Sequence, residues 1–104
     1  MASSKEYLNF ILEQLDDLEN IKYRAMMGEY ILYYNDKIVG GIYDDRLLVK
    51  PVKSALDYVS NIEYDLPYSG AKEMLLITEV DDKEYLIGLF MTMLAELPAR
   101  KVKK

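Results

Sequence analysis

Apolar positions recur at helical spacing early in the chain. Tyr7, Leu8, Ile11, Leu12, Leu15 and Leu18 share one side of a helix, with Glu13, Asp16 and Asp17 mainly on the other. Ser3 and Glu6 have the Ser-x-x-Glu spacing of a capping box, so the pattern predicts a helix over 4–18. From residue 21 the chain turns to short runs of β-branched and aromatic residues separated by turn residues, which predict strands over 21–26, 29–34, 37–43 and 46–50. Met27-Gly28, Asn35-Asp36 and Asp44-Asp45 supply the close turns, which makes these strands an antiparallel meander. Pro51 stops the fourth strand, and Ala55, Leu56 and Val59 form the stripe of a short helix over 53–60. The stretch 61–70, with Pro67 and Gly70, reads as a loop before a fifth strand over 74–80. A last helix follows over 82–97, opened by the Asp81/Glu84 capping spacing and ended by Pro98. Its buried stripe is Tyr85, Leu86, Leu89, Phe90, Met93 and Leu94.

The order is thus α-β-β-β-β-α-β-α. It predicts an α+β fold with an antiparallel five-stranded sheet, a meander plus one strand, and helices packed mainly on one face. The strands carry apolar groups on both faces. Tyr30, Leu32 and Tyr34 alternate with Ile31 and Tyr33, and Ile38 and Ile42 with Val39 and Tyr43. Two long helices cover only one face of such a sheet. The other face is expected to be partly open and rich in tyrosine, whose ring buries while its hydroxyl stays wet. Either the loop at 61–70 covers it in part, or it meets another chain. Tyr30, Tyr33, Tyr34 and Tyr43 are the interface candidates, and the pattern does not fix which alternate set faces outward. Gly40-Gly41, inside a strand, marks a bulge or a close backbone approach.

Composition narrows the chemistry. The 104 residues fit one domain, expected over 1–98 with a basic, disordered tail over 99–104. With 51% hydrophobic and 30% charged residues the chain can build a core and stay soluble. The sequence has no cysteine, so disulfides, thiolate metal sites and thiol catalysis are excluded. It has no histidine, which removes imidazole bases, catalytic triads and His-ligated metals. Arg100, Lys101, Lys103 and Lys104 sit at the end of a chain of net charge −5, so the body is more acidic than the total. Direct binding of duplex DNA is therefore not expected. Neither a signal peptide nor an apolar run long enough to span a bilayer is visible, and the expected location is cytoplasmic.

The remaining polar groups offer little chemistry. Asp16-Asp17, Asp44-Asp45 and Asp81-Asp82 fall on a helix surface, in a turn and at a helix start, each an ordinary structural place for acid pairs. No metal site and no cofactor is expected. The methionines read as core filling or, less simply, as an adaptable peptide surface. Arg24 and Glu29 flank the Met27-Gly28 turn, and Lys50 ends the fourth strand. They are the candidates for holding a small molecule or an anion. Three functions stay open: a protein-interaction module, possibly homodimeric; a small-molecule or anion binder; and an enzyme working with a carboxylate or tyrosine. The first is preferred, without catalysis.

Three blocks carry a family resemblance. They are the runs 23–33 (Tyr-Arg-Ala-Met-Met-Gly-Glu-Tyr-Ile-Leu-Tyr), 41–50 (Gly-Ile-Tyr-Asp-Asp-Arg-Leu-Leu-Val-Lys) and 67–74 (Pro-Tyr-Ser-Gly-Ala-Lys-Glu-Met). Together they resemble the N-terminal domain of the TfoX/Sxy family, with its Arg-x-Met-x-Gly opening and Asp-x-Leu-x-x-Lys strand. The resemblance runs over about residues 4–97. It implies an α+β domain tied to regulation of natural competence, with no family catalytic residues. It also implies a stand-alone domain, without the helical C-terminal domain of the longer regulators.

Overall fold

The computed structural model describes residues 4–97. Helix α1 spans Lys5–Gln14, and its N-cap is Ser4, whose hydroxyl accepts the Tyr7 N–H at 3.1 Å. The capping box expected on Ser3 and Glu6 begins one residue before this cap. The Ser4 N–H is instead bonded to Asp45 Oδ1 at 2.8 Å, a carboxylate from a distant turn doing what a local glutamate does in a capping box. Residues 15–18 continue as hydrogen-bonded turns, so the helix is shorter than its apolar stripe. Ser3, the helix stop at Pro98 and the tail 99–104 lie outside the described residues.

Strands β1 (Ile21–Met26), β2 (Glu29–Tyr34), β3 (Lys37–Ile42) and β4 (Leu47–Val49) form the expected meander. All three connections are two-residue turns with positive φ at both positions: Met27 and Gly28 at 54° and 83°, Asn35 and Asp36 at 53° and 64°, Asp44 and Asp45 at 53° and 56°. That backbone matches the twist of the flanking strands, and Asn, Asp and Gly tolerate it best. At φ 83° an alanine is strained, so Gly28→Ala is expected to cost about 1 kcal/mol. A urea midpoint unchanged from the parent contradicts this.

After β4 come α2 (Lys53–Tyr58), β5 (Tyr64–Asp65), β6 (Met74–Ile77) and α3 (Lys83–Met93), the last continued by a 3-10 turn over Leu94–Glu96. Asp82 caps α3 by accepting the Tyr85 N–H at 3.1 Å. The sheet has six strands in the order β1-β2-β3-β4-β6-β5, not five, and every pair is antiparallel. The extra strand lies within the stretch expected to be loop. Two residues are too few to show a period, and Tyr64–Asp65 become a strand by pairing with Leu75 and Met74. Strand β6 also ends at Ile77, short of the expected 80.

One face of this sheet holds the core. Leu32, Val39, Ile42, Leu47, Val49, Leu75 and Ile77 pack with Leu8, Ile11 and Leu15 of the α1 segment, with Ala55 and Val59, and with Leu86, Leu89, Phe90 and Met93 of α3. Among the described residues all the helices therefore lie on the same side. The register between β2 and β3 slips between Leu32 and Tyr33, so Leu32 opposes Gly40 while Tyr33 opposes Ile38. Val39 is the extra residue of this bulge, and it turns into the core. Simple alternation set Ile38 and Ile42 on one face, and the bulge separates them: Ile42 is buried and Ile38 is exposed. Among the described residues no helix is long and apolar enough to cross a membrane.

Candidate functional site

Directly opposed residues in an antiparallel sheet share a face, so the register lays out the side without helices. One row runs Lys22, Tyr33, Ile38 across β1 to β3. The next runs Arg24, Ile31, Gly41, Leu48, Leu76 from β1 to β6, and a third pairs Met26 with Glu29. The face is divided. Leu48 is fully buried although it lies outside the helix-side cluster, and Tyr43 is 8% exposed. The segment 61–73 folds over this end: Pro67 is buried and the Tyr68 ring stands 6.3 Å from Tyr43. The β1–β3 end stays open, with Ile31 and Tyr33 half-buried and Met26 and Ile38 exposed. A partial cover by the loop and an open remainder thus coexist.

Arg46 fastens the cover. Its Nε donates to the Tyr43 carbonyl at 3.0 Å, one terminal nitrogen to the Leu66 carbonyl at 3.3 Å, and the other to the Asp65 carboxylate. The Arg46 hydrogen bond holds the Asp65 carboxyl below its ordinary range, helped by the Leu66 N–H. Nothing in the local sequence marks Arg46 for this role, because its partner lies 19 residues further along. At the Asp44-Asp45 turn the acid pair has structural partners: Glu29 Oε1 accepts the Asp44 N–H at 3.0 Å and Asp45 takes the start of α1. Burial raises the Tyr43 hydroxyl above its usual pKa, with Tyr68, Glu29 and Tyr33 adding to it.

The sequence candidates are dispersed by this geometry. Tyr34 lies on the helix side, its ring 6.3 Å from Phe90. Tyr30 is on that side too, edge-on to Tyr23 at 5.8 Å and partly buried against the core. Tyr43 is under Tyr68, which leaves Tyr33 as the interface candidate on the open part of the face. The open surface carries isoleucine and methionine beside one tyrosine, and so is less tyrosine-rich than expected. Arg24, Glu29 and Lys50 line three different depressions: Arg24 with Lys22, Tyr33 and Asp36; Glu29 with Met26, Met27 and Tyr68; Lys50 with Pro67 and Lys72. None of these three depressions holds more than one of the candidates, although Tyr68 borders both that of Glu29 and that of Lys50. Met93 fills the core as expected, but Met26, Met27 and Met91 are exposed, Met27 at 95% because it occupies a hairpin tip and belongs to neither sheet face.

Comparison with known proteins agrees with the arrangement of motifs. The chain is 32% identical over 105 residues to the "uncharacterized 12.7 kDa protein in trpE 5′ region" of Spirochaeta aurantia, covering 100% of this chain and 91% of that protein. No solved structure matches. The family profile described as the TfoX N-terminal domain matches residues 13–86, from the end of α1 through the first turn of α3 and across the whole sheet. This chain belongs to the TfoX N-terminal domain family.

Proposed function

We propose that this chain is a non-catalytic protein-interaction module of the competence-regulator kind, which docks its partner on the open part of the helix-free sheet face. The observation that carries the reading is the pair of adjacent rows Lys22-Tyr33-Ile38 and Arg24-Ile31-Gly41, where half-buried apolar side chains lie together and, among the described residues, no helix covers them. Such a patch, apolar at the centre and charged at the rim, has the anatomy of an interface. Membership of the TfoX N-terminal domain family favours a regulatory role over a metabolic one. The dispersal of Arg24, Glu29 and Lys50 among three depressions separates the candidates for acid–base work, which supports the non-catalytic reading.

A second copy of the chain is the simplest partner, because a two-fold pair needs only one self-complementary patch. A credible dimer buries on the order of 1,000 Å² in total. Sedimentation equilibrium at about 100 μM, well above micromolar affinities, addresses this directly. A dimer that becomes a folded monomer in Tyr33→Asp/Ile38→Asp supports self-association through the face. If the parent is a monomer, both proteins serve as parallel baits for affinity capture from the native cell. A partner held by the parent and absent from the variant supports the face, and identical capture by both sinks it.

A further inference from the structure

The sheet ends on one side with β5, only two residues long, and on the other with β1, six residues whose register with β2 is unbroken. The hydrogen-bond phase of β1 follows from its turn. Met26 and Glu29 flank a two-residue loop and so exchange both backbone bonds. The alternation then gives Arg24 and Lys22 the same bonds to Ile31 and Tyr33. The Asn35 N–H donates to the Asn20 carbonyl at 3.1 Å, in phase with that series. Ile21, Tyr23 and Ala25 therefore direct their N–H and C=O groups away from β2, to the free edge. β1 contains no proline, and its side chains are exposed at every position after Ile21. This is a template for a further strand.

Charge selects what can occupy it. Lys22 and Arg24 are two residues apart, so both project from the helix-free face. Both are exposed, and Lys22 reaches only the exposed Asp36 at 3.9 Å. Among the described residues Arg24 is in no ion pair. A second β1 is a poor partner. In a two-fold pair within one continuous sheet, opposed residues must share a face, so the axis passes midway between the two copies of one residue. Centred on Tyr23, Lys22 opposes Arg24 of a second copy; centred on Arg24, the two arginines meet. These are the registers that pair most of β1, and like charges directly opposed destabilise a sheet.

We infer that the β1 edge accepts an extended segment of a partner protein with acidic residues at alternate positions, which adds as a strand with its carboxylates opposite Lys22 and Arg24. The inference rests on the reading of the chain as a protein-interaction module and names the chemistry of its partner. Main-chain bonds to Ile21, Tyr23 and Ala25 hold such a segment, and the two cations set its sequence preference.

The test uses the full chain labelled with 15N and a synthetic probe, Thr-Val-Glu-Val-Glu-Val-Thr. Bound probe should slow hydrogen exchange at the amides of Ile21, Tyr23 and Ala25, while those of Lys22 and Arg24, already bonded to β2, change little. Replacing both probe glutamates by glutamine should weaken binding roughly tenfold. Lys22→Glu/Arg24→Glu should reverse the preference, favouring a probe with lysine at those places; protection in the parent chain stands by itself if this variant fails to fold. Met91→Asp, exposed on α3 at the opposite side of the sheet, should leave probe binding unchanged. Loss of binding in Ile38→Asp with no edge protection in the parent places the segment on the face, overturning strand addition while sparing the interaction-module reading. Absence of edge protection at millimolar probe, or equal binding of the glutamate and glutamine probes, also overturns the inference.

Discussion

Gly40→Ala should destabilise the protein by at least about 4 kcal/mol, most of what a domain of this size has to lose. A Cβ built on Gly40 falls 2.1 Å from the Leu48 carbonyl oxygen and 2.7 Å from Val49 Cα. Both are main-chain atoms of β4, and Val49 directly opposes Gly40 in the ladder. A flexible side chain could turn aside, but here relief requires β3 and β4 to separate or the bulge at Val39 to move. Either opens the sheet over Leu47 and Val49, both fully buried. The expected outcome in urea titration is a protein largely unfolded without denaturant, or a midpoint near zero. An unfolding free energy within about 1 kcal/mol of the parent means that the strands do not approach this closely.

Phe90→Ala should cost about 3–5 kcal/mol. Phe90 is fully buried and is the largest such side chain, and its ring ties α3 to β2 through Tyr34 at 6.3 Å. Removing it leaves a cavity between the helical layer and the sheet, which rigid strands cannot collapse to fill. Phe90→Leu keeps most of the volume and should cost only about 1 kcal/mol. If the two variants unfold at the same urea concentration, Phe90 is not the contact between the layers that its burial implies.

Much of the fold is legible in the sequence because it is written locally. Asn35-Asp36 and Met27-Gly28 announce their turns, and the stripes of α1 and α3 name residues that are indeed buried: Leu8, Ile11 and Leu15, then Leu86, Leu89, Phe90 and Met93. What escapes is non-local. The cap of α1 is completed by Asp45 from a distant turn. β5 exists through its pairing with β6 and through Arg46, which reaches Asp65. The faces of β3 follow from a single register slip at Val39, and a period-two reading cannot foresee it. Gly40-Gly41 was the visible trace, since a side chain at either position would strike backbone atoms. The candidate site suffers from the same blindness. Tyr30, Tyr33, Tyr34 and Tyr43 look alike in sequence, but register and the Tyr68 cover leave Tyr33 on the open surface.

The two-residue turns also set the order in which the chain can assemble. Every contact of the β1–β4 meander joins neighbours in sequence, so it closes only short loops and can form early. The next strand to join β4 is β6, which arrives only after α2 and the 61–73 segment have been made. On the ribosome, where the N-terminal part emerges first, the meander therefore spends an interval with β4 as a naked border. That border is Leu47-Leu48-Val49, three apolar residues that are fully buried once folding is complete. It carries no charge to repel another chain, unlike β1 with Lys22 and Arg24. The nascent protein is most prone to aggregate during this interval, and the vulnerability passes when Leu75, Leu76 and Ile77 reach β4.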